Sequence, residues 1–369
     1  MDQATLEHLI IKEIRKAREI SRKDLADNLG IAKSTAGRRV DSMIERGIVQ
    51  EIGLENSREV GRPRRFLAVR GDYGGFIGFD FDARHLYVVL IDFAQTTVVQ
   101  KKIRLSPKPN RAEVLSLLRA TITEFTANVE GLPVRGIGIG VPGHVTREAR
   151  IGRHYPFIDG WKEVDLLKEL GLTPEFLQIE NNTRTVALGE YWLGSHAGAK
   201  HLLCLNVRTG ISAAVIANGE LLSGTREMAG EIRGWPVPTG DRQTHGVDCL
   251  ESVATVRAVT AGGETDETSW NKFVSACREG QAEALKSLSR IAGYHGDTVS
   301  KVIQLLDPEV IFLAGPFTEL EDLYLERVRR ATAVALLDHH FSPPPIKPAT
   351  LGEFAGAHGA AALAAAESR

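Results

Sequence analysis

The chain has 369 residues, 43% of them hydrophobic and 25% charged, with a formal net charge of −2; that is enough apolar material for two or three buried cores and excludes a disordered or collagen-like chain. Its longest aliphatic run, Val88-Val89-Leu90-Ile91, is far short of the roughly 20 residues a membrane helix needs, and acidic Asp2 and Glu7 stand where an export signal would be basic, so a soluble cytoplasmic protein with no membrane partner is expected. Three widely spaced cysteines, Cys204, Cys249 and Cys277, argue against a disulfide framework and fit a reducing compartment.

Residues 1–70 carry 15 Lys and Arg against 11 Asp and Glu, whereas the rest of the chain carries 30 against 36. A basic head on an acidic body points to a polyanion met by the head alone. Leu6, Leu9, Ile10 and Ile14 recur at helical spacing, which puts Lys12, Arg15 and Lys16 on the solvent side of a first helix. Ser21 and Asp24 form a start signal for a short second helix with Leu25, Ala26 and Leu29 inward, and Gly30 ends it. In a third helix Ala36, Val40, Met43 and Ile44 face the core and Gly47 supplies a left-handed stop. Helix, tight turn, helix is the helix-turn-helix pattern. The outward residues of the third helix, Lys33, Ser34, Thr35, Arg38 and Arg39, are donors suited to phosphates and base edges. Gly37 costs that helix about 1 kcal/mol relative to alanine, which suggests close approach of another surface. Taken singly, Arg38 and Arg39 read first as a solvated face; three helices at this spacing are what turn them toward DNA.

Two strands at 48–52 and 66–69 follow, joined by a polar loop that makes a wing. Its Gly61-Arg62-Pro63-Arg64-Arg65 segment is rigid, cationic and extended, and places Arg62 and Arg64 as candidates for a narrow minor groove. Residues 1–70 are therefore expected to be a winged helix-turn-helix domain with a double-stranded DNA operator as partner. Such heads read paired half-sites, which implies a homodimer or higher homo-oligomer.

The body begins with strands at 76–80, 86–91 and 98–105, a helix over about 111–129 and a strand at 136–141. A second series has strands at 202–207 and 213–216, helices after Asp248 and a strand at 310–314. Two similar halves imply a cleft, and a cleft is where a ligand goes. Between them Leu177-Gln178-Ile179 runs into Glu180-Asn181-Asn182 and the helical-looking 185–190. A buried strand ending in amides at a helix head can present those amides to the crevice of an α/β sheet, or they can simply cap the helix. The tail 356–364, rich in Ala and Gly, reads as a buried closing helix.

Glu180-Asn181-Asn182 followed by Ala187-Leu188-Gly189-Glu190 resembles the Glu-Asn-Asp…Ala-Leu-Gly-Glu signature of the ROK proteins, a group of sugar kinases and sugar-responsive repressors on the actin-like, ribonuclease H-like ATPase fold. The resemblance extends to the Gly-Arg-Pro of the wing, to Gly140-Val141-Pro142-Gly143-His144, to Ala229-Gly230-Glu231 and to the tail. It implies an α/β fold of two lobes, the first made by residues 71–180 with 354–369 and the second by 181–353. It also implies a sugar cleft formed by Gly143, His144, Tyr155, Asn181, Asn182, Glu231 and Glu251.

The kinases of the family use the Asp of that signature to deprotonate the sugar hydroxyl; Asn182 stands there in this chain, and an amide cannot take up a proton at neutral pH. Their glycine-rich phosphate turns are replaced by Asp80-Phe81-Asp82-Ala83-Arg84 and Val207-Arg208-Thr209-Gly210, and Leu313-Ala314-Gly315-Pro316 keeps little of the adenosine contact. No catalytic residue, no cofactor and no enzyme activity are expected. Gly234 stands where the family has a sugar-contacting His, and of the family's Cys-rich zinc run only His245, Asp248 and Cys249 remain as ligand types, short of a four-ligand zinc site, so no metal is expected. Arg233 and Trp235 beside Glu231 point to an anionic or modified sugar, or to none. The reading is a transcription regulator of carbohydrate metabolism, of the repressor kind, whose inactive kinase-like cleft senses a sugar or sugar derivative. Its alternatives are a ROK sugar kinase with a DNA-binding head and a repressor with no small-molecule ligand.

Overall fold

The computed structural model describes residues 3–53, 65–128, 131–195, 199–238, 247–260, 267–337 and 342–367. Arg62, Arg64 and His245 lie outside these residues. The head comprises α1 (Gln3–Ala17), β1 (Ile20–Ser21), α2 (Arg22–Leu29), α3 (Lys33–Glu45), β2 (Val49–Ile52) and β3 (Phe66–Val69). Ser21 caps α2 by accepting from the Asp24 amide at 3.1 Å, and Gly30 closes it at φ 62°, a conformation that costs glycine nothing. Gly47 turns the chain out of α3 at φ 72°. The sheet runs β1-β3-β2; β1 is a two-residue strand that sequence periodicity is too short to register. Ile10, Ile14, Leu25, Val40, Met43 and Leu67 form the buried centre.

One residue of α1 departs from the helical periodicity. Arg15 is not on the solvent side: its guanidinium lies 4.2 Å from the centre of the Phe93 ring and donates to the backbone carbonyls of Phe93 and Ala365. The aliphatic stem of arginine packs as well as a leucine does, so amphipathic spacing does not reveal which arginines go inward.

The body is built twice on one plan. In the first half β4 (Gly75–Phe81), β5 (His85–Asp92) and β6 (Thr97–Arg104) form an antiparallel meander, α4 (Arg111–Asn128) crosses over, and β7 (Val134–Val141) returns parallel to β4. A small antiparallel sheet, β8 (His144–Thr146), β9 (Ile151–His154) and β10 (Lys162–Asp165), and the short α5 (Leu166–Leu170) then precede β11 (Leu177–Asn181), which pairs parallel to β7. The sheet order is β11-β7-β4-β5-β6. α6 (Asn182–Trp192) leaves β11 without a linker.

In the second half β12 (Leu202–Val207), β13 (Ile211–Ala217) and β14 (Glu220–Leu221) repeat the meander. The hairpin β15 (Pro236–Pro238) and β16 (Val247–Cys249) and the helices α7 (Leu250–Val253), α8 (Glu267–Arg278) and α9 (Ala282–Leu306) follow. β17 (Val310–Ala314) lies parallel to β12, and after α10 (Asp322–Ala335) β18 (Ile346–Pro348) lies parallel to β17, giving the order β14-β13-β12-β17-β18. No helix among the described residues is long and apolar enough to cross a membrane.

α11 (Ala355–Glu367) returns to the first sheet and is buried over most of its length. Its fit depends on glycine. A Cβ on Gly78 would overlap the Ala357 carbonyl, and one on Gly138 the Ala360 carbonyl. The helix therefore rests on the sheet at backbone contact, closer than side-chain packing allows.

Candidate functional site

β4, β7 and β11 run in the same direction, as do β12 and β17, so their C-terminal ends can meet around a crevice, where open α/β sheets bind ligands. A cavity of about 60 Å³ lies there. The first half contributes Asp82 after β4, Pro142 and Gly143 after β7, Tyr155 and Phe157 after β9, and Asn181, Asn182 and Thr183 at the junction of β11 with α6. Asn206 and Arg208 at the end of β12, Ser212 in β13, Glu231 and Arg233 before β15, and Glu251 in α7 line it from the second half.

Six of the seven residues read from the sequence as ligand contacts thus lie around one cavity: Gly143, Tyr155, Asn181, Asn182, Glu231 and Glu251. His144 does not. It begins β8, where strand pairing turns its ring to within 3.1 Å of the Arg226 carbonyl. Asn181 is both a cap and a lining residue: its Oδ1 accepts from the amides of Thr183 (2.9 Å) and Arg184 (3.3 Å), and its Nδ2 donates to the Gly143 carbonyl at 2.8 Å. Gly143 sits at φ 75°, and a Cβ there would overlap the His154 carbonyl. The Asn182 amide is 3.5 Å from the Phe81 carbonyl, too long for a strong bond, so its hydrogen-bonding capacity is mostly unspent. Burial pushes the Tyr155 hydroxyl far above its ordinary pKa, so it remains a donor. Burial also pushes Glu251 up, with the Arg233 and Arg257 guanidiniums pulling it down and Glu231 adding to the rise.

The segments that the resemblance assigns to phosphates, 80–84 and 207–210, are joined by an ion pair. Arg208 reaches from the end of β12 to β4, where its Nη2 lies 2.7 Å from Asp80 Oδ2; the two side chains are 12% and 0% exposed. Burial raises Asp80 to about 6 while the guanidinium pulls it back; burial likewise opposes the charge on Arg208, and Asp80 and Asp82 hold it up. Arg208 Nη1 and Asp80 Oδ1 are buried with no hydrogen-bond partner among the described residues. Asp82 serves the fold: its Oδ1 accepts from the amides of Arg84 (2.7 Å) and His85 (3.0 Å), closing the turn from β4 to β5.

A second ion pair was not anticipated from the sequence. Arg184, 2% exposed, pairs through Nη1 with the fully buried Glu180 at 3.1 Å. Its Nη2 donates to the carbonyls of Ser223 (3.2 Å), Glu227 (2.7 Å) and Ala229 (3.1 Å). Arg184 thereby holds the loop leading to Glu231, and Arg147 closes on Glu180 from the other side at 3.1 Å. Glu180 lies near the end of β11 and Arg184 in the first turn of α6, so no periodicity within a single element signalled the pair. Among the described residues no group of three or more His, Cys, Asp or Glu is placed to hold a metal ion.

On the head, Lys33, Ser34 and Arg38 are exposed and Thr35 and Arg39 are half-buried along the outer side of α3. Neighbouring cations are neutralised: Arg22 pairs with Asp41 and Glu51, Arg65 with Glu51, and Arg46 with Glu7. The start of α3 presents Lys33, Arg38 and Arg39 outside those ion pairs.

Residues 76–367 match the ROK family, and residues 5–50 match the winged helix-turn-helix DNA-binding family. The chain is 26% identical over 344 residues to the xylose repressor of Caldicellulosiruptor bescii, covering 87% of this chain and 85% of that one. A solved structure described as a ROK family transcriptional regulator and homologue of the E. coli Mlc protein superposes with a TM-score of 0.77 at 21% identity, covering 98% of this chain and 96% of that one. A ROK family glucokinase from Streptomyces griseus, solved with glucose and AMPPNP, superposes with a TM-score of 0.66 at 22% identity over 79% of this chain and 99% of its own. At these identities the superpositions establish the fold, the two-lobed actin-like ATPase with a helical head. With the doubled sheet plan, the Asn-bearing cavity and a family match spanning all but the head, the chain belongs to the ROK family.

Proposed function

We propose that this chain is a cytoplasmic DNA-binding regulator that represses genes of carbohydrate metabolism, and that its kinase-like cleft recognises a sugar or sugar derivative without phosphorylating it. The head, residues 1–70, reads the operator through Lys33, Ser34, Thr35, Arg38 and Arg39, with Arg62 and Arg64 of the wing in the minor groove. The first lobe (71–180 with 354–369) and the second (181–353) enclose the sensor. Paired half-sites make the working form a homodimer or a larger homo-oligomer.

The observation that carries the proposal is the Asp80–Arg208 pair. A guanidinium already bound to a carboxylate occupies the place a phosphoryl donor would need, beside an Asn182 that cannot act as a base. The remaining lining, with carboxylates at Glu231, Glu251 and Asp82 and amides at Asn181 and Asn182, suits the dense hydroxyls of a sugar. Arg233, exposed at its face on the cavity, adds a donor for a sugar bearing a further acceptor. A cavity of about 60 Å³ is less than half the roughly 150 Å³ that admits a benzene ring, so sugar entry requires the cavity to widen. Thermal unfolding of the full-length chain against pentoses, hexoses and their phosphates tests the sensor. A ligand at about 100 times its Kd adds about 2.7 kcal/mol of stability, and consumption of ATP with any of these sugars would sink the proposal.

A further inference from the structure

α11 meets Asp80, the partner of the cavity-lining Arg208, at one end and the head at the other. At its N-terminal end Gly356 lies so close to the Asp80 carboxylate that a Cβ has no room. Further along, Gly359 sits on the Thr185 carbonyl of α6, and Gly189 of α6 sits on the Ala355 carbonyl; α6 itself begins at Asn182, in the cavity lining. Contacts made through backbone atoms leave no side chain to rotate out of the way, so α11 and α6 shift together or not at all.

At the C-terminal end of α11, Arg15 of α1 donates through Nη1 to the Ala365 carbonyl at 3.1 Å and through Nε to the Phe93 carbonyl at 2.9 Å. A cation on the last turn of a helix sits where the orphan carbonyls and the helix dipole favour it. Burial pushes Arg15 down to about 10, with Asp92 opposing, so it is charged at neutral pH. An arginine that merely covered apolar surface would keep its guanidinium in water; this one surrenders hydration for two carbonyls of the body.

We infer that Arg15 is the positioning residue that fastens the DNA-reading head to α11, and that α11 ties the head to the Asp80–Arg208 end of the cleft. The regulatory meaning rests on the proposed function; the attachment itself does not. The test uses the full-length chain, with Arg15→Met and Arg15→Lys at the head and Arg208→Met as the perturbation of the cleft. Hydrogen exchange of the α1–α3 amides reads the attachment without DNA: it speeds up by about fivefold or more in Arg15→Met, less in Arg15→Lys, with α9 and α10 unchanged. Fluorescence anisotropy with a duplex selected by the wild-type chain from a random pool reads the coupling. There Arg208→Met shifts duplex affinity by about fivefold or more when Arg15 is present, and by less than about twofold in the Arg15→Met background. Unchanged head exchange in Arg15→Met overturns the inference, as does an Arg208→Met effect that is equal in both backgrounds or absent from both. If the wild-type chain selects no duplex, the DNA-binding proposal fails and the exchange measurement alone decides the attachment. Should Arg208→Met not fold, Asp80→Asn perturbs the same pair from the other lobe.

Discussion

Breaking the Asp80–Arg208 pair from one side should cost more stability than removing it altogether. At 2.7 Å and an effective dielectric of about 20, the attraction is about 6 kcal/mol before the desolvation of both groups is counted. Asp80→Asn keeps the shape of the side chain but strands a guanidinium that is only 12% exposed, and such a buried, unpaired charge costs about 3–5 kcal/mol. Adding Arg208→Met removes the stranded charge, and the double variant is expected to recover most of the loss. Denaturant unfolding followed by tryptophan fluorescence can resolve the lobes, because Trp161 packs on Phe81 in the first and Trp270 on Phe317 in the second. Midpoints, not extrapolated free energies, are the quantity to compare in a chain of several units. A single Asp80→Asn variant with the wild-type midpoint, or a double variant weaker than either single one, would mean that Asp80 does not compensate the Arg208 charge.

Arg184→Met leaves Glu180 buried and frees three carbonyls of the loop at 223–229; a loss of about 3–5 kcal/mol is expected, with faster hydrogen exchange in that loop as the check. His295 is fully buried between the Ala254 carbonyl (2.7 Å) and the Tyr324 hydroxyl (2.8 Å), and burial pushes it down to about 4. Its lowered pKa makes the folded state bind fewer protons than the unfolded one between about 4 and 6.5. The stability it supports is therefore present above pH 6.5 and lost as the pH falls, by about 2 kcal/mol at pH 5; a His295→Gln variant with the same drop between pH 7.5 and 5 would contradict this. Gly138→Ala places a methyl on the Ala360 carbonyl and should cost about 1–3 kcal/mol, read as a lower denaturation midpoint. Arg38→Ala with Arg39→Ala should flatten the salt dependence of duplex binding by about 0.9 in slope for each phosphate that the pair no longer neutralises; an unchanged slope removes those two residues from the interface.

Much of the fold was legible because it rests on local rules. Ser21, Gly30 and Gly47 mark helix ends through chemistry that acts within three residues, and the central strands of both sheets announce themselves by apolar runs, while the short strands β14 and β18 do not. Asn181 and Asn182 were found for the same reason, at a strand-to-helix junction. The charged residues that matter most were not legible. Arg15, Arg184 and Arg208 each turn inward, buried or half-buried, onto partners distant in the chain: Arg15 onto Phe93 and Ala365, Arg184 onto Ser223 to Ala229, Arg208 onto Asp80. Sequence periodicity sends a charge to solvent by default, and only the tertiary partner reverses that. His144 is the opposite case. Its place in a family loop suggested the cavity, but strand pairing points it at Arg226.

If the proposed function holds, a duplex-reading head answers to a sugar held in a cleft that performs no phosphoryl transfer. Both halves of that statement meet in one titration: anisotropy of a selected duplex with the full-length chain, with and without each sugar and sugar phosphate, in the presence of ATP and magnesium. At least one of these compounds is expected to change duplex affinity by about fivefold or more while ATP is not consumed. A duplex affinity that no sugar alters, or an alteration that appears only as ATP is turned over, would contradict it.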